Sequence, residues 1–318
     1  MNSELIKYFN DRKKIIVITG PTASGKTDVS IELSKLIPIE VISADSRQIY
    51  KYLNIGTATP SKEELKQVKT HFINILKPDE YYSAGIFAKQ ATKKIFKIFK
   101  KGLLPVVVGG TGFYIKALFE GLFEDNIPFE RKEEIRIKLN KQLKDKGIDY
   151  LFNKLQRYDK ESALLYPDKN YRRIIRALEF IELTGQKYSE HRKNVTKSDL
   201  TPIYFAIDID RNELYERINK RVIKMWNNGL ITETKRVLSL GYSKDLNSLN
   251  TVGYKETIAY IEKKIDQDEA IKLIQKNTRH YAKRQLTWLR RVSGIKWIKG
   301  QSSEIVEKIF KILNDTIK

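Results

Sequence analysis

The sequence predicts an α/β protein, a parallel sheet flanked by helices and interrupted by an all-helical insertion. Three observations carry that expectation. Apolar runs rich in β-branched residues, at Ile15–Ile18, Ile39–Ser43, Pro105–Val108 and Ile203–Ile209, alternate with helical stretches. A glycine-rich or polar segment follows each of the first three runs, as at the functional edge of a parallel sheet. From about Phe119 to Lys197 only helical periodicity persists, punctuated by Gly147, Pro167 and Gly185. The expected organisation is a first part of the core over 1–118, a helical insertion over 119–199, and a second part with C-terminal helices over 200–318.

In chain order, the Ile15–Ile18 strand leads into a helix ending at Leu36, stopped by Pro38. After the Ile39–Ser43 strand comes a polar segment, Ala44–Tyr50, and a loop, Asn54–Pro60, before a short helix from Ser61. Phe72–Leu76 is expected as a third strand. Ser83–Lys100 has Phe87, Ala91, Ile95 and Ile98 on one helical face, and Gly102 ends it. The insertion should hold helices over Ile135–Lys146, Ile148–Arg157 and Tyr171–Thr184. Later helices are expected over Asn212–Trp226, Ile231–Leu240, Glu269–Arg291 and Ile305–Ile317, with a last strand at Ile295–Ile298.

The chain has 318 residues and a formal charge of +21, an excess that points to a polyanionic partner, RNA or DNA before membrane. A lysine-rich proteome from an AT-rich genome is the competing explanation. Cysteine is absent, which excludes disulfides and thiolate metal sites and fits a reducing cytoplasm. Residues 1–13 are charged and no apolar run reaches about 18 residues, so neither a signal peptide nor a membrane span is expected. A monomer is the expected oligomeric state.

Gly20-Pro21-Thr22-Ala23-Ser24-Gly25-Lys26-Thr27 has the spacing G-x-x-x-x-G-K-[ST] between a strand and a helix. Gly20 and Gly25 let successive backbone N–H groups turn inward, and the helix N-terminus adds partial positive charge. Lys26 supplies a cation for a diphosphate, and the Thr27 hydroxyl is a ligand for Mg²⁺. The motif makes a P-loop NTPase-like sheet the specific fold expected, with a polyphosphate bound. ATP is the commonest such ligand.

Four further stretches bear chemistry-capable residues, each with a plain alternative. Asp45, at the exit of the second strand, is a Mg²⁺ partner, a general base or a helix N-cap. Ser46, Arg47 and Gln48 beside it offer donors and acceptors suited to a nucleobase edge. Gly109-Gly110-Thr111-Gly112 either admits a ligand close to the backbone, with the Thr111 hydroxyl at the rim, or is an ordinary strand-to-helix turn. Arg172, Arg173 and Arg176 are either a solvated basic face or phosphate contacts. Lys283, Arg284, Gln285, Trp288 and Arg290 suit RNA, or a surface helix with Trp288 in the core. Apart from these four, Thr251-Val252-Gly253-Tyr254-Lys255 is a glycine-containing turn beside an aromatic and a lysine that alone says little.

Taken together and in this order, the segments resemble the tRNA dimethylallyltransferases. The resemblance rests on Gly20–Thr27, A-D-S-R-Q-I-Y at Ala44–Tyr50, N-I-G-T-A-T-P at Asn54–Pro60, V-G-G-T-G-F-Y-I at Val108–Ile115, R-R-I-I-R-A-L-E at Arg172–Glu179, V-G-Y-K-E at Val252–Glu256 and K-R-Q-L-T-W-L-R at Lys283–Arg290. Thr70-His71 stands where a histidine pair is expected, and Lys51 where an arginine is common.

The resemblance implies transfer of a dimethylallyl group from dimethylallyl diphosphate to N6 of the adenosine 3′-adjacent to the anticodon, with Mg²⁺ as cofactor. It implies diphosphate rather than spent ATP in the P-loop, Arg221 as a second diphosphate-binding cation, Asp45 as general base and Thr111 close to the target base. Ser46, Arg47 and Gln48 would read the neighbourhood of a flipped base. Arg136, Arg172, Arg173 and Arg176 of the insertion, Thr251, Gly253, Tyr254 and Lys255, and the Lys283–Arg290 stretch would hold the tRNA. The alternatives are an adenylate isopentenyltransferase acting on free AMP, ADP or ATP, a P-loop nucleotide kinase, and a non-catalytic RNA-binding NTPase module. The segment after Val108 lacks the strand-ending aspartate that phosphoryl transfer usually wants.

Overall fold

The computed structural model describes residues 2–122, 127–195 and 197–317. Its strands are β1 (Lys14–Thr19), β2 (Ile39–Ser43), β3 (Thr70–His71), β4 (Leu104–Gly109), β5 (Thr201–Asp208) and β6 (Lys296–Lys299). All pair in parallel, in the order β3-β2-β4-β1-β5-β6. Ile15–Ile18 of β1 are fully buried, as are Val106 and Val107 of β4. A parallel strand is covered on both faces, which is why these strands read as unbroken apolar runs rather than alternating ones.

Register fixes where function can gather. Thr19 stands beside both Gly109 and Ala206, and Ser43 beside Val108. The segments that follow β1, β2, β4 and β5 therefore leave the same edge. From β1 the chain crosses to β2, two places away, and later adds β5 on the other side of β1. Loops diverge above β1 and leave a crevice at its C-terminal end.

The chain separates into two compact units, Met1–Phe119 with Ser198–Lys318, and Glu120–Lys197. In the first, Ile49 and Leu53 pack with Leu214, Ile218, Tyr254 and Ile274. That cluster ties the segment after Asp45 to helices from the far end of the chain. The second unit has its own core, in which Leu139, Leu151 and Leu155 of the Phe129–Tyr158 helix meet Ile174 and Leu178 of Tyr171–Thr184.

Several local expectations need correcting. The third strand is Thr70–His71, not Phe72–Leu76. Phe72 and Asn74 take left-handed backbone, at φ 66° and 52°, which ends the extended run, and Phe72 packs edge-on against Phe87. Only Leu76 retains a bridge, to Tyr50. Residues 2–11 are helical, with Leu5 and Phe9 buried. The turn-like stretch at 251–255 opens another helix, Tyr254–Ile261. Gly112–Glu120, Lys160–Leu164 and Tyr188–His191 are further helices. The two helices expected around Gly147 join at a kink there, at φ 79°.

The glycines after β4 serve the fold. A Cβ on Gly109 would lie 2.3 Å from the Ala44 carbonyl oxygen, one on Gly110 2.2 Å from Gln285, and one on Gly112 2.3 Å from the Trp288 ring. The close approach expected for a ligand is thus taken by protein. Gly109→Ala should cost about 1–3 kcal/mol, because backbone rather than a flexible side chain opposes the methyl. Its chemical-denaturation midpoint should fall, while Gly102→Ala, which meets nothing within 4 Å, loses only what its φ of 71° imposes.

Candidate active site

Gly20, Ala23 and Gly25 at φ 152°, 64° and 90° bend the chain between β1 and the Lys26–Leu36 helix into a loop. Gly25 provides no side-chain cap, so the first amides of that helix lack a capping acceptor at an electropositive terminus. Ser24 Oγ is buried without a hydrogen bond. Lys26 Nζ folds back onto the carbonyls of Gly20 at 3.1 Å and Pro21 at 2.7 Å. Thr27 Oγ1 makes no hydrogen bond among the described residues and lines a cleft together with Lys26, Asp45, Gln48, Pro60 and Glu64.

Arg221, on the Arg211–Met225 helix, lies near enough to Lys26 to repel it and to Asp45 to attract it. Burial first, and the Arg221 charge second, hold the Lys26 ammonium down at about 8, with Asp45 opposing both. Burial also lowers the Arg221 guanidinium. Among the described residues neither cation has an ion-pair partner, and Arg221 makes no hydrogen bond. Two partly desolvated cations beside a helix N-terminus, attracted by Asp45 but in contact with no carboxylate among the described residues, suit a polyanion.

Asp45 faces this cluster from the end of β2. Its Oδ1 accepts from the amides of Arg47 at 2.8 Å and Gln48 at 3.4 Å, while Oδ2 has no hydrogen bond among the described residues. The capping reading and the base reading thus apply to different oxygens. Thr111 Oγ1 accepts from the Ser46 amide at 3.1 Å and lies near the Tyr281 phenol. Tyr281 was not evident from sequence. Burial chiefly, then the Asp45 charge, raise its phenol to about 12, with the Thr111 hydroxyl opposing both. It stays protonated beside Asp45 at any physiological pH.

Two of the residues expected to contact RNA are buried and bonded within the protein. Gln285 is buried. Its Oε1 accepts from the Thr22 amide at 2.8 Å and its Nε2 donates to the Gly110 carbonyl at 2.9 Å. With one bond at each end of the amide, it ties the P-loop to the loop after β4. Tyr254 is fully buried, with its hydroxyl on Glu233. Gly253 is buried too and opens the Tyr254–Ile261 helix, with Thr251 half-buried and Lys255 exposed beside Glu256. Trp288 packs on Gly112, whereas Lys283, Arg284 and Arg290 are exposed. Arg47 donates to the Asn247 carbonyl at 2.7 Å, and Gln48 to that of Ala58 at 3.1 Å.

In the insertion, Arg136 and Arg176 both grip the buried Glu179 and, with Arg172, line one concavity. Arg173 instead lies 4.0 Å from Asp168. Among the described residues no helix is long and apolar enough to cross a membrane, and no group of three or more His, Cys, Asp or Glu could hold a metal.

Lys26 and Arg221 give a pH test. Below about 8 the free lysine is charged, and a bound anion would raise its pKa. Inorganic diphosphate affinity should lose this lysine's contribution progressively as pH rises above about 8, and binding there should take up a proton. Calorimetry in buffers of differing ionisation enthalpy measures both effects, and Lys26→Ala should abolish them.

With the geometry in place, comparison with known proteins is informative. Residues 48–292 match the family model described as IPP transferase. A tRNA dimethylallyltransferase of Thermosipho melanesiensis is 48% identical over 305 residues, 95% of this chain and 99% of the relative. That of Thermotoga maritima is 44% identical over 303 residues, 94% of this chain and 98% of its own length. The solved tRNA isopentenylpyrophosphate transferase of Bacillus halodurans superposes with a TM-score of 0.70 at 36% identity, over 96% of this chain and 97% of the other. A eukaryotic dimethylallyltransferase acting on tRNA gives 0.79 at 26% identity, over 96% of this chain and 79% of that one. By family match, by identity over nearly its whole length and by fold, this chain belongs to the IPP transferase family.

Proposed function

We propose that this chain transfers a dimethylallyl group from dimethylallyl diphosphate to N6 of the adenosine 3′-adjacent to the anticodon of tRNA, releasing diphosphate. The observation that carries the reading is one arrangement of charge. Lys26 and Arg221 stand beside the P-loop with no carboxylate in ion-pair contact among the described residues, and Asp45 faces them from farther off with an oxygen to spare.

The chemistry needs both halves. As the C1–O bond breaks, its electrons pass to a diphosphate oxygen, and the growing charge meets the P-loop amides, Lys26 and Arg221. The N6 lone pair forms the new C–N bond, but delocalisation into the purine makes it a weak nucleophile. Asp45 Oδ2 accepts the N6 proton as that bond forms. Thr111 and Tyr281 stand beside Asp45, with Thr111 Oγ1 accepting from the Ser46 amide, and Gln285 ties the P-loop to the loop after β4 that carries Thr111. The Thr27 hydroxyl suits Mg²⁺, a hard ion that takes few protein oxygens and completes its shell from substrate phosphates and water. When bound, it would neutralise part of the leaving-group charge.

A base within an anticodon loop must leave its stack to reach such a cleft. The exposed Lys283, Arg284 and Arg290, and the Arg136–Arg172–Arg176 concavity of the insertion, supply phosphate contacts for the loop and stem. Neither footprint is needed for a free adenine nucleotide. The charge of +21 and relatives named for tRNA along nearly the full length favour the polynucleotide.

Incubation with labelled dimethylallyl diphosphate and either total tRNA or AMP should place the label in tRNA, recoverable as N6-prenyladenosine; label in AMP would overturn the reading. Asp45→Ala should bind tRNA within a few-fold of the parent while its single-turnover rate falls about 10²-fold or more. Replacing Arg172 and Arg176 should flatten the salt dependence of tRNA binding, measured as the slope of log Kd against log salt.

A further inference from the structure

The Asn54–Pro60 loop, which lends Pro60 to the wall of the cleft, is held from behind by one carboxylate. Glu233, on the Ile231–Ser239 helix, accepts from three consecutive amides: Asn54 at 2.9 Å, Ile55 at 3.0 Å and Gly56 at 3.2 Å. The hydroxyl of the buried Tyr254 donates to the same carboxylate at 2.6 Å and itself accepts from the Gly56 amide at 3.1 Å. No lysine or arginine pairs with Glu233 among the described residues. Its charge is directed wholly into backbone N–H groups and one phenol, an inward-turned nest of amides closed on an internal anion.

The loop's far side reaches the proposed base site. The Ala58 carbonyl, in a residue at φ 50°, accepts from Gln48 Nε2, and Ser43 Oγ donates to Gln48 Oε1 at 3.3 Å. Gln48 lies in the turn whose amides Asp45 Oδ1 caps. Gly56 is required because a Cβ there would meet the Tyr254 ring at 2.5 Å. Gly253 and Tyr254, buried where an RNA contact was expected, thereby acquire a role.

We infer that Glu233 is a positioning residue for prenyl transfer: by gathering the amides of Asn54, Ile55 and Gly56 it sets the Ala58 carbonyl, which orients the Gln48 amide beside Asp45. This inference rests on the proposed function. It separates the site into a donor half, fixed by Gln285, and an acceptor half, fixed by Glu233. Glu233→Gln keeps the shape but turns a donor toward the amides. Tyr254→Phe removes one bond to the carboxylate and keeps the ring.

Steady-state transfer to tRNA and backbone hydrogen exchange test it on the full chain. In Glu233→Gln, exchange at Asn54, Ile55 and Gly56 should accelerate at least tenfold. Its kcat should fall by about tenfold to a hundredfold through misplacement of the acceptor, with KM for dimethylallyl diphosphate within twofold of the parent. Tyr254→Phe should move the same quantities less and in the same direction, and it serves alone if Glu233→Gln does not fold. A kcat within twofold of the parent in the folded variants would overturn the inference, as would a loss confined to the donor KM. If the parent itself labels no tRNA, the functional reading fails separately, and unchanged exchange at the three amides would then remove the positioning role as well.

Discussion

A lysine and an arginine close enough to repel each other, neither with an ion-pair partner among the described residues, are the constraint on which the site is built. Holding Lys26 and Arg221 together, partly removed from water, is unfavourable for the folded protein, and the depressed lysine pKa of about 8 is the visible trace of that cost. Their placement requires β1 at the centre of the sheet, with the P-loop leaving its C-terminal end. It also requires the helix after β5 to bring Arg221 back over that loop. An anion relieves the repulsion and satisfies the open helix terminus at once. A leaving diphosphate gains charge at the moment it is most needed there, which is how a binding device becomes a catalytic one.

The acceptor side is organised differently. Asp45 gives one oxygen to its own turn and keeps the other available, so the carboxylate proposed to accept the N6 proton is fixed by the backbone it caps. Around it, amides and carbonyls are matched by side chains from distant parts of the chain: Gln285 to Thr22 and Gly110, Glu233 to Asn54, Ile55 and Gly56. Such contacts resist small displacements in a way that apolar packing alone does not, because each misplacement leaves a polar group unpaired.

Contiguous features were readable in the sequence. The P-loop declares itself because all its chemistry lies within eight residues, Gly20–Thr27, and the sheet because buried parallel strands are continuously apolar. What stayed illegible concerns partners rather than residue types. The amide of Gln285 is equally suited to a base edge and to a backbone, and only the folded chain shows that backbone claims both its ends. Gly109, Gly110 and Gly112 signal close approach correctly, but the approaching groups are Ala44, Gln285 and Trp288. Tyr281 and Glu233 carry no local signature at all; helix packing alone brings them to Thr111 and to the Asn54 loop.

In the proposed reaction Lys26, Arg221 and the P-loop hold the diphosphate of a prenyl donor with its reacting carbon turned toward Asp45. A crystal structure of this chain with a non-reacting dimethylallyl thiodiphosphate tests it most directly. The expected result is diphosphate oxygens on the Gly20–Thr27 amides, Lys26 Nζ and the Arg221 guanidinium, with the allyl carbon on the Asp45 side of the cleft. A diphosphate bound away from Arg221, or an allyl group directed away from Asp45, would contradict it.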